Sequence, residues 1–203
     1  RLEKIKALDI NVSFVRQKEM KGTGDALLLA EPFIGDSNFI VAYPDDLVLG
    51  EVGLSKQMID CYAKHKKNLL ACMSIDGDVS RYGVVSIEKE LDDKTNLMNG
   101  MVEKPKKGEE PSKIISIGRY LFEPKIFEKL KMRKKEHSAG EFFLTDGIEE
   151  LVKDKEVASF NFEGLRLDTG KPEGYIKAII EYIFQNEEYK SIFLKALNEK
   201  GIK

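Results

Sequence analysis

Cysteine is scarce: only Cys61 and Cys72 occur in 203 residues, with no Cys-x-x-Cys motif. That excludes a disulfide framework and a cysteine-built structural zinc site, and it fits a reducing compartment such as the cytoplasm. An excess of one charge sign is missing too. The 33 Lys and Arg are set against 35 Asp and Glu, for a net charge of −2. No electrostatic footprint for nucleic acid or an anionic membrane follows from that balance. The runs at 104–110 and 131–135 read as solvated faces. No apolar stretch approaches the roughly 20 residues of a membrane span. Arg1 opens a polar, amphipathic stretch where a secretory signal would have an apolar core. Walker sequences and internal repeats are also absent. What is present, 42% hydrophobic and 33% charged residues, describes a globular chain long enough for a core without covalent staples.

The chain is organised around Phe39-Ile-Val-Ala-Tyr-Pro-Asp-Asp46. Its apolar, β-prone run is too short for a helix and reads as a buried strand. Pro44 has no backbone donor, so the strand stops there. Two carboxylates follow at its carboxyl end, where ligands sit in open α/β sheets. Of the two, Asp45 is the candidate metal ligand. Taken alone, a Pro-Asp pair is also the signature of a solvated turn.

Around this stretch the pattern predicts alternating strands and helices. Residues 1–7 read as the tail of a helix and Val12 to Val15 as a strand. A short helix over Ala26 to Ala30, capped by Thr23 or Asp25 and ended by Pro32 and Gly35, leads to the strand at 39–43. Strand, helix, strand implies a βαβ unit with parallel strands. A helix over Leu54 to Lys66 places Leu54, Met58, Cys61, Tyr62 and His65 on one face; His65 there reads as a packed side chain, not a ligand. Further strands are predicted over 69–75, 82–87, 96–102, 114–122, 157–162 and 165–168. A helix starts at Pro124, and residues 131–140 read as a mobile loop. Another helix is capped by Thr145. A third starts at Pro172 with an apolar stripe of Ile176, Ile179, Ile180, Ile183 and Phe184, and a last one runs near 189–197. Together these predict an α/β fold: a mixed, mainly parallel Rossmann-like sheet with helices on both faces and the site along its carboxyl edge.

Three further constellations carry chemistry. Gly22-Thr-Gly24 lacks the third glycine of a dinucleotide fingerprint, since Leu27 occupies its place. What remains is a tight turn, or a place where backbone can approach a flat or anionic group. Glu103-Lys104-Pro105 offers a carboxylate for sugar hydroxyls and an ammonium for a phosphate. Neighbours on an extended chain point opposite ways, so one wall carries both only if the chain bends there. Asp168-Thr-Gly170 matches the aspartic-protease triplet, but that enzyme needs two triplets. The other use of Asp168 is as a second carboxylate beside Asp45 for Mg²⁺, which is typically held by one or two carboxylates plus substrate phosphates.

In order, Arg16-Gln17, Lys21-Gly-Thr-Gly24, Tyr43-Pro-Asp-Asp-Leu47, Arg81-Tyr-Gly-Val84, Val102-Glu-Lys-Pro105, Ile117-Gly-Arg-Tyr120, Gly140-Glu-Phe-Phe-Leu-Thr-Asp146 and Leu167-Asp-Thr-Gly170 form a set. This set resembles the bacterial UTP–glucose-1-phosphate uridylyltransferases, a branch of the sugar-phosphate nucleotidyltransferases. The resemblance implies transfer of UMP from UTP to glucose 1-phosphate, giving UDP-glucose and pyrophosphate. It implies Mg²⁺ on Asp45 and Asp168, uracil at Gln17 and Gly22, glucose at Gly83 and Glu103, and the sugar phosphate at Lys104. Asp45, Lys104 and Asp168 would then be the catalytic set, in one nucleotidyltransferase domain over residues 1–203 of a cytoplasmic homo-oligomer. Two departures stand out. Asp25 occupies a position where the family usually has His. The family's amino-terminal strand and Gly-rich, triphosphate-gripping loop find no match. The expectation is a domain truncated at its amino end, inactive by itself, with an exposed strand edge near 12–15 or 39–43. Two other readings stay open: a nucleotide-sugar-dependent glycosyltransferase using Asp45-Asp46 as an acidic pair, and a non-catalytic regulatory or assembly subunit.

Overall fold

The computed structural model describes residues 10–202; the helix tail expected at 1–7 lies outside them. The strands are β1 (Phe39–Ala42), β2 (Asp46–Leu49), β3 (Asn68–Ser74), β4 (Gly83–Asp92), β5 (Thr95–Glu103), β6 (Ile114–Phe122), β7 (Val157–Asn161) and β8 (Leu165–Asp168). Six form one sheet in the order β1-β6-β3-β7-β5-β4, and β2 pairs with β8 in a separate antiparallel ribbon. The helices are α1 (Thr23–Leu28), α2 (Glu31–Ile34), α3 (Leu54–His65), α4 (Lys125–Glu136), α5 (Leu144–Lys153), α6 (Pro172–Phe184) and α7 (Glu187–Glu199). Among the described residues no helix is long and apolar enough to cross a membrane.

The sheet is mixed, but it is not mainly parallel as expected. Among the described residues β3 and β7 are the single parallel pair; the other pairings are antiparallel. Two connections account for this. β4 and β5 are joined by the tight turn at Asp93-Lys94, which only antiparallel neighbours accept. β6 runs through the middle and takes antiparallel partners on both sides, β3 on one and β1 and β4 on the other. The expected βαβ unit is therefore not formed. β1 lies antiparallel to β6, and residues 12–15 form no strand, with Phe14 93% exposed. An apolar, β-prone run becomes a strand only where a neighbour offers it an edge. β1 ends the sheet with β6 as its one partner among the described residues, which leaves an open edge at 39–42.

Helices cover both faces. On one, Leu27, Ile126, Phe127, Leu130, Ile148 and Leu151 of α1, α4 and α5 pack with Leu70, Cys72, Tyr120 and Phe122. On the other, Leu54, Met58 and Cys61 of α3 pack with Leu69, Ala71, Ile115, Ile117 and Leu121. Consecutive residues of β3 thus alternate between the two cores, as the pleat requires. Two expectations fail. The supposed loop from 131 is helix as far as Glu136: its Lys, Arg and Glu residues are good helix formers, and Lys131 pairs with Glu31. The apolar stripe of α6 does not turn inward: Ile176, Ile179 and Ile180 are exposed and only Ala178 is buried. α6 is instead held through Gly174, where an added methyl group would come within 1.9 Å of the Asp168 carbonyl oxygen.

Candidate active site

One cleft of about 580 Å³ gathers residues from 17–26, 43–46, 81–83, 101–104, 141–148 and 166–171. Gln17, Gly22, Asp45, Gly83, Glu103, Lys104 and Asp168 all line it.

At its acidic end the two neighbouring carboxylates have different tasks. Asp46 is buried. Its Oδ1 accepts a 2.6 Å hydrogen bond from Arg166 Nε, and its Oδ2 accepts one of 2.9 Å from the Gly118 amide. It ties the β2–β8 ribbon to the main sheet. Asp45 takes the Thr169 amide and hydroxyl on its main-chain oxygen, at 2.8 and 3.0 Å, while its carboxylate accepts no hydrogen bond among the described residues. Asp168 lies across from Asp46 in the ribbon register. Its Oδ1 accepts the Gly170 amide at 3.0 Å, and its Oδ2 lies 3.5 Å from Arg166 Nη2. A methyl group on Gly170 would stand 3.1 Å from Asp45 Oδ2 and 3.2 Å from Asp168 Oδ1. The two carboxylates therefore flank one small space that any side chain would fill. Two anions this close favour a cation between them, and oxygen-only ligands suit a hard divalent one.

The bend required at Glu103-Lys104 is present, and it sits at Lys104 itself. Lys104 has φ 46, a conformation non-glycine residues avoid and one that a following proline further disfavours. Its amide donates to the Tyr82 carbonyl at 3.0 Å. Its Nζ lies 4.9 Å from the Phe143 ring centre and 3.9 Å from Glu103 Oε1. Both charges thus reach one wall. Glu103 Oε2 accepts a 3.0 Å hydrogen bond from Thr145 Oγ1. Thr145 is consequently not the expected cap: it lies inside α5, and the helix is capped from elsewhere, by Thr23 Oγ1 accepting the Leu144 amide at 3.0 Å. Thr23 in turn does not cap α1, whose first residue follows Gly22, and neither does Asp25. Gly83 sits beneath the same wall, and a methyl group on it would meet Met101 Cε at 2.2 Å.

At the opposite end, Gly22 and Gly24 do allow a close approach, but by the chain's own backbone. The Gly24 amide donates to the Phe142 carbonyl at 3.0 Å, and the Phe142 amide to the Lys21 carbonyl at 2.8 Å. A methyl group on Gly22, at φ 104, would lie 2.3 Å from the Phe142 oxygen. Gly22→Ala is accordingly expected to cost about 2–4 kcal/mol through clash and backbone strain. Gly35→Ala, at φ 59 and ψ −135 with open space around it, carries backbone strain without a clash and should cost less, about 1–3 kcal/mol. Denaturant unfolding of the two variants checks the difference. Gln17 crosses this end, with Nε2 donating to the Gly22 carbonyl at 3.2 Å and to Asp25 Oδ2 at 3.0 Å.

Several cleft residues carry no site role in the sequence reading: Tyr43, Arg81, Glu141, Arg166, Lys171 and Thr145, which is expected there only as a helix cap. Arg166 had a signal, because it sits two residues before Asp168 on one strand and so shares its face. The others did not. Burial raises the pKa of the Tyr43 phenol, with the hydrogen bonds of Thr23 and Tyr120 opposing.

Residues 1–184 match the model of the nucleotidyl transferase family. A UTP–glucose-1-phosphate uridylyltransferase 2 of Staphylococcus saprophyticus is 38% identical over 189 residues, covering 92% of this chain and 65% of that protein. A UTP–glucose-1-phosphate uridylyltransferase of Staphylococcus haemolyticus is 36% identical over 193 residues, covering 94% of this chain and 66% of its own length. The chain thus spans just under two thirds of these curated relatives. Among solved structures, a UDP-glucose pyrophosphorylase complexed with UDP-glucose superposes with a TM-score of 0.78 at 37% identity, covering 86% of this chain and 66% of the other. A UTP-bound UGPase from Acinetobacter baumannii gives 0.80 at 28% identity, covering 98% and 73%. Fold, cleft and sequence agree: the chain belongs to the nucleotidyl transferase family.

Proposed function

We propose that this chain serves uridylyl transfer, in which UTP and glucose 1-phosphate give UDP-glucose and pyrophosphate, and that residues 1–203 form one nucleotidyltransferase domain. The observation that carries the reading is the polarity of the cleft: a pair of converging carboxylates at Gly170, a cation and a sugar-accepting carboxylate on the Glu103–Lys104 wall, and a carboxamide at the Gly22 end. The names of the relatives point the same way. In this reading Asp45 and Asp168 hold Mg²⁺, which supplies charge neutralisation on the nucleotide phosphates. Lys104 holds the sugar phosphate and offsets its repulsion from the nucleotide phosphates, so that its oxygen is aligned for in-line attack. Glu103, steadied by Thr145, accepts hydroxyl hydrogens of the glucose, and Gly83 beside it is the second glucose contact. Gln17 and Gly22 meet the uracil. Positioning and charge carry the reaction, and no side-chain nucleophile is required. The glycosyltransferase reading loses support, because it needs Asp46 free for metal and both Asp46 oxygens are engaged by Arg166 and Gly118.

Because the chain spans only part of its relatives, binding is the decisive readout. Calorimetric titration with UDP-glucose in Mg²⁺ is expected to show saturable one-site binding that chelation of the metal weakens at least tenfold, with ADP-glucose binding far more weakly. No binding of UDP-glucose, or equal binding of ADP-glucose, would overturn the assignment.

A further inference from the structure

We infer that the Asp25–Lys134 ion pair fixes the carboxamide of Gln17 and thereby makes the base end of the cleft select a pyrimidine with a ring N–H, as in uracil, over one with a bare ring nitrogen, as in cytosine. The inference rests on the proposal that Gln17 meets the base. A glutamine amide carries two N–H donors and one acceptor oxygen. Here both donors have partners within the protein, the Gly22 carbonyl at 3.2 Å and Asp25 Oδ2 at 3.0 Å. Rotating the amide by half a turn would set its oxygen against that carbonyl and carboxylate, two acceptors, with no hydrogen between. The orientation is therefore dictated by its neighbours, and the group left for a ligand is Oε1, an acceptor only.

Asp25 is what makes the arrangement hold. It is buried, where an unpaired carboxylate would be costly. Its other oxygen, Oδ1, accepts from Lys134 Nζ of α4. The hydrogen bonds from Lys134 and then Gln17 keep its carboxyl below the ordinary range, so it stays an acceptor at neutral pH. Uracil carries N3–H between two carbonyl groups and can donate to Gln17 Oε1. Cytosine offers N3 as a lone pair at the same place, and two acceptors then face each other. A site built to bond one hydrogen discriminates strongly against the analogue lacking it, because a buried polar group is left unpaired.

The test is the ratio of affinities for UDP-glucose and CDP-glucose, measured by calorimetry in Mg²⁺ for wild type, Gln17→Ala, Asp25→Ala and Lys134→Met. Wild type is expected to favour UDP-glucose by about 100-fold or more. In Asp25→Ala the freed amide turns, and the ratio should fall to within about tenfold, partly through a gain in CDP-glucose affinity that general damage to the site would not produce. Lys134→Met, whose side chain is about half exposed, keeps the test available if Asp25→Ala does not fold, and it should lower the ratio less. As a readout independent of ligand, the Gln17 side-chain amide protons should exchange slowly with solvent in wild type and faster in both variants. If Gln17→Ala weakens UDP-glucose while Asp25→Ala and Lys134→Met leave the ratio at its wild-type value, the ion pair has no such role although the base contact stands. If Gln17→Ala changes neither affinity, the base is not read there, and both the contact and this inference fail.

Discussion

Asp46→Ala is expected to destabilise the protein by about 3–5 kcal/mol, whereas Asp45→Ala should leave stability within about 0.5 kcal/mol of wild type and abolish Mg²⁺-dependent binding of UDP-glucose. The two residues are neighbours with the same side chain, and only their partners differ. Removing the Asp46 carboxylate leaves Arg166 only the more distant Asp168, 3.5 Å away, and the Tyr82 ring, whose centre lies 5.3 Å from the guanidinium carbon, and it leaves the Gly118 amide without its acceptor. Breaking a buried pair by deleting one member costs that much because an uncompensated charge stays behind. Against a typical total of about 5–15 kcal/mol, the loss would open the junction between the ribbon and the sheet. Asp46→Asn, which retains an acceptor for Gly118 but not the charge for Arg166, should fall between. The Asp45 carboxylate accepts no hydrogen bond among the described residues, and its removal even relieves repulsion from Asp168. Urea unfolding of the three variants, followed by calorimetry on those that fold, separates the roles. Loss of stability in Asp45→Ala, or retained metal-dependent binding, would contradict the assignment.

The contrast between these neighbours also marks where the sequence stops being readable. Ile114 to Phe122 could be recognised because it lies between two cores, and a β-prone run buried on both faces has few alternatives; Phe39-Ile-Val-Ala42 is as β-prone, but at the sheet edge it is partly exposed and not the buried strand expected. The α3 stripe of Leu54, Met58 and Cys61 was equally plain, since a helix packed on one face writes its period into the chain. The α6 stripe was as clear, but periodicity does not say whether a partner surface is present, and Ile176 and Ile179 are exposed. Of the two four-residue strands, β8 is legible at 165–168, whereas β2 carries too little pattern to be seen. Pairing direction was misjudged because it depends on which strands meet at β6, not on any one strand. At the site, the nominated side chains do share one cleft, yet their partners were invisible: Glu103 meets Thr145 from 42 positions away and Asp46 meets Arg166 from 120. Hydrogen bonds between distant elements leave no local spacing to read.

Replacing Lys104 by alanine and by glycine should separate its charge from its backbone. Both variants remove the ammonium, and both are expected to lose about 1.5–3 kcal/mol of UDP-glucose affinity, the worth of a hydrogen bond to a charged group. Binding of UTP, which has no sugar phosphate to place on this wall, should change by less than about threefold, well under the factor of ten that 1.4 kcal/mol represents. In stability the two should diverge. At φ 46 any residue with a Cβ is strained by about 1–2 kcal/mol, and alanine keeps that strain. Alanine also gives up the contact of Nζ with the Phe143 ring, worth about 0.5–1 kcal/mol at an exposed site. Glycine loses the same contact but relieves the strain, less about 0.5–1 kcal/mol for its greater freedom in the unfolded chain. Lys104→Gly should therefore be more stable than Lys104→Ala by up to about 1.5 kcal/mol while binding UDP-glucose no better. Equal stabilities would mean that the bend is set by Pro105 and the Tyr82 carbonyl without strain at Lys104. Equal losses for UTP and UDP-glucose would move the sugar phosphate off this wall. The expected pattern, a more stable variant with a weaker site, would make the strained bend part of the binding device: the backbone at Lys104 is held in an unfavourable conformation because that is what brings its ammonium and the Glu103 carboxylate to the same side of the cleft.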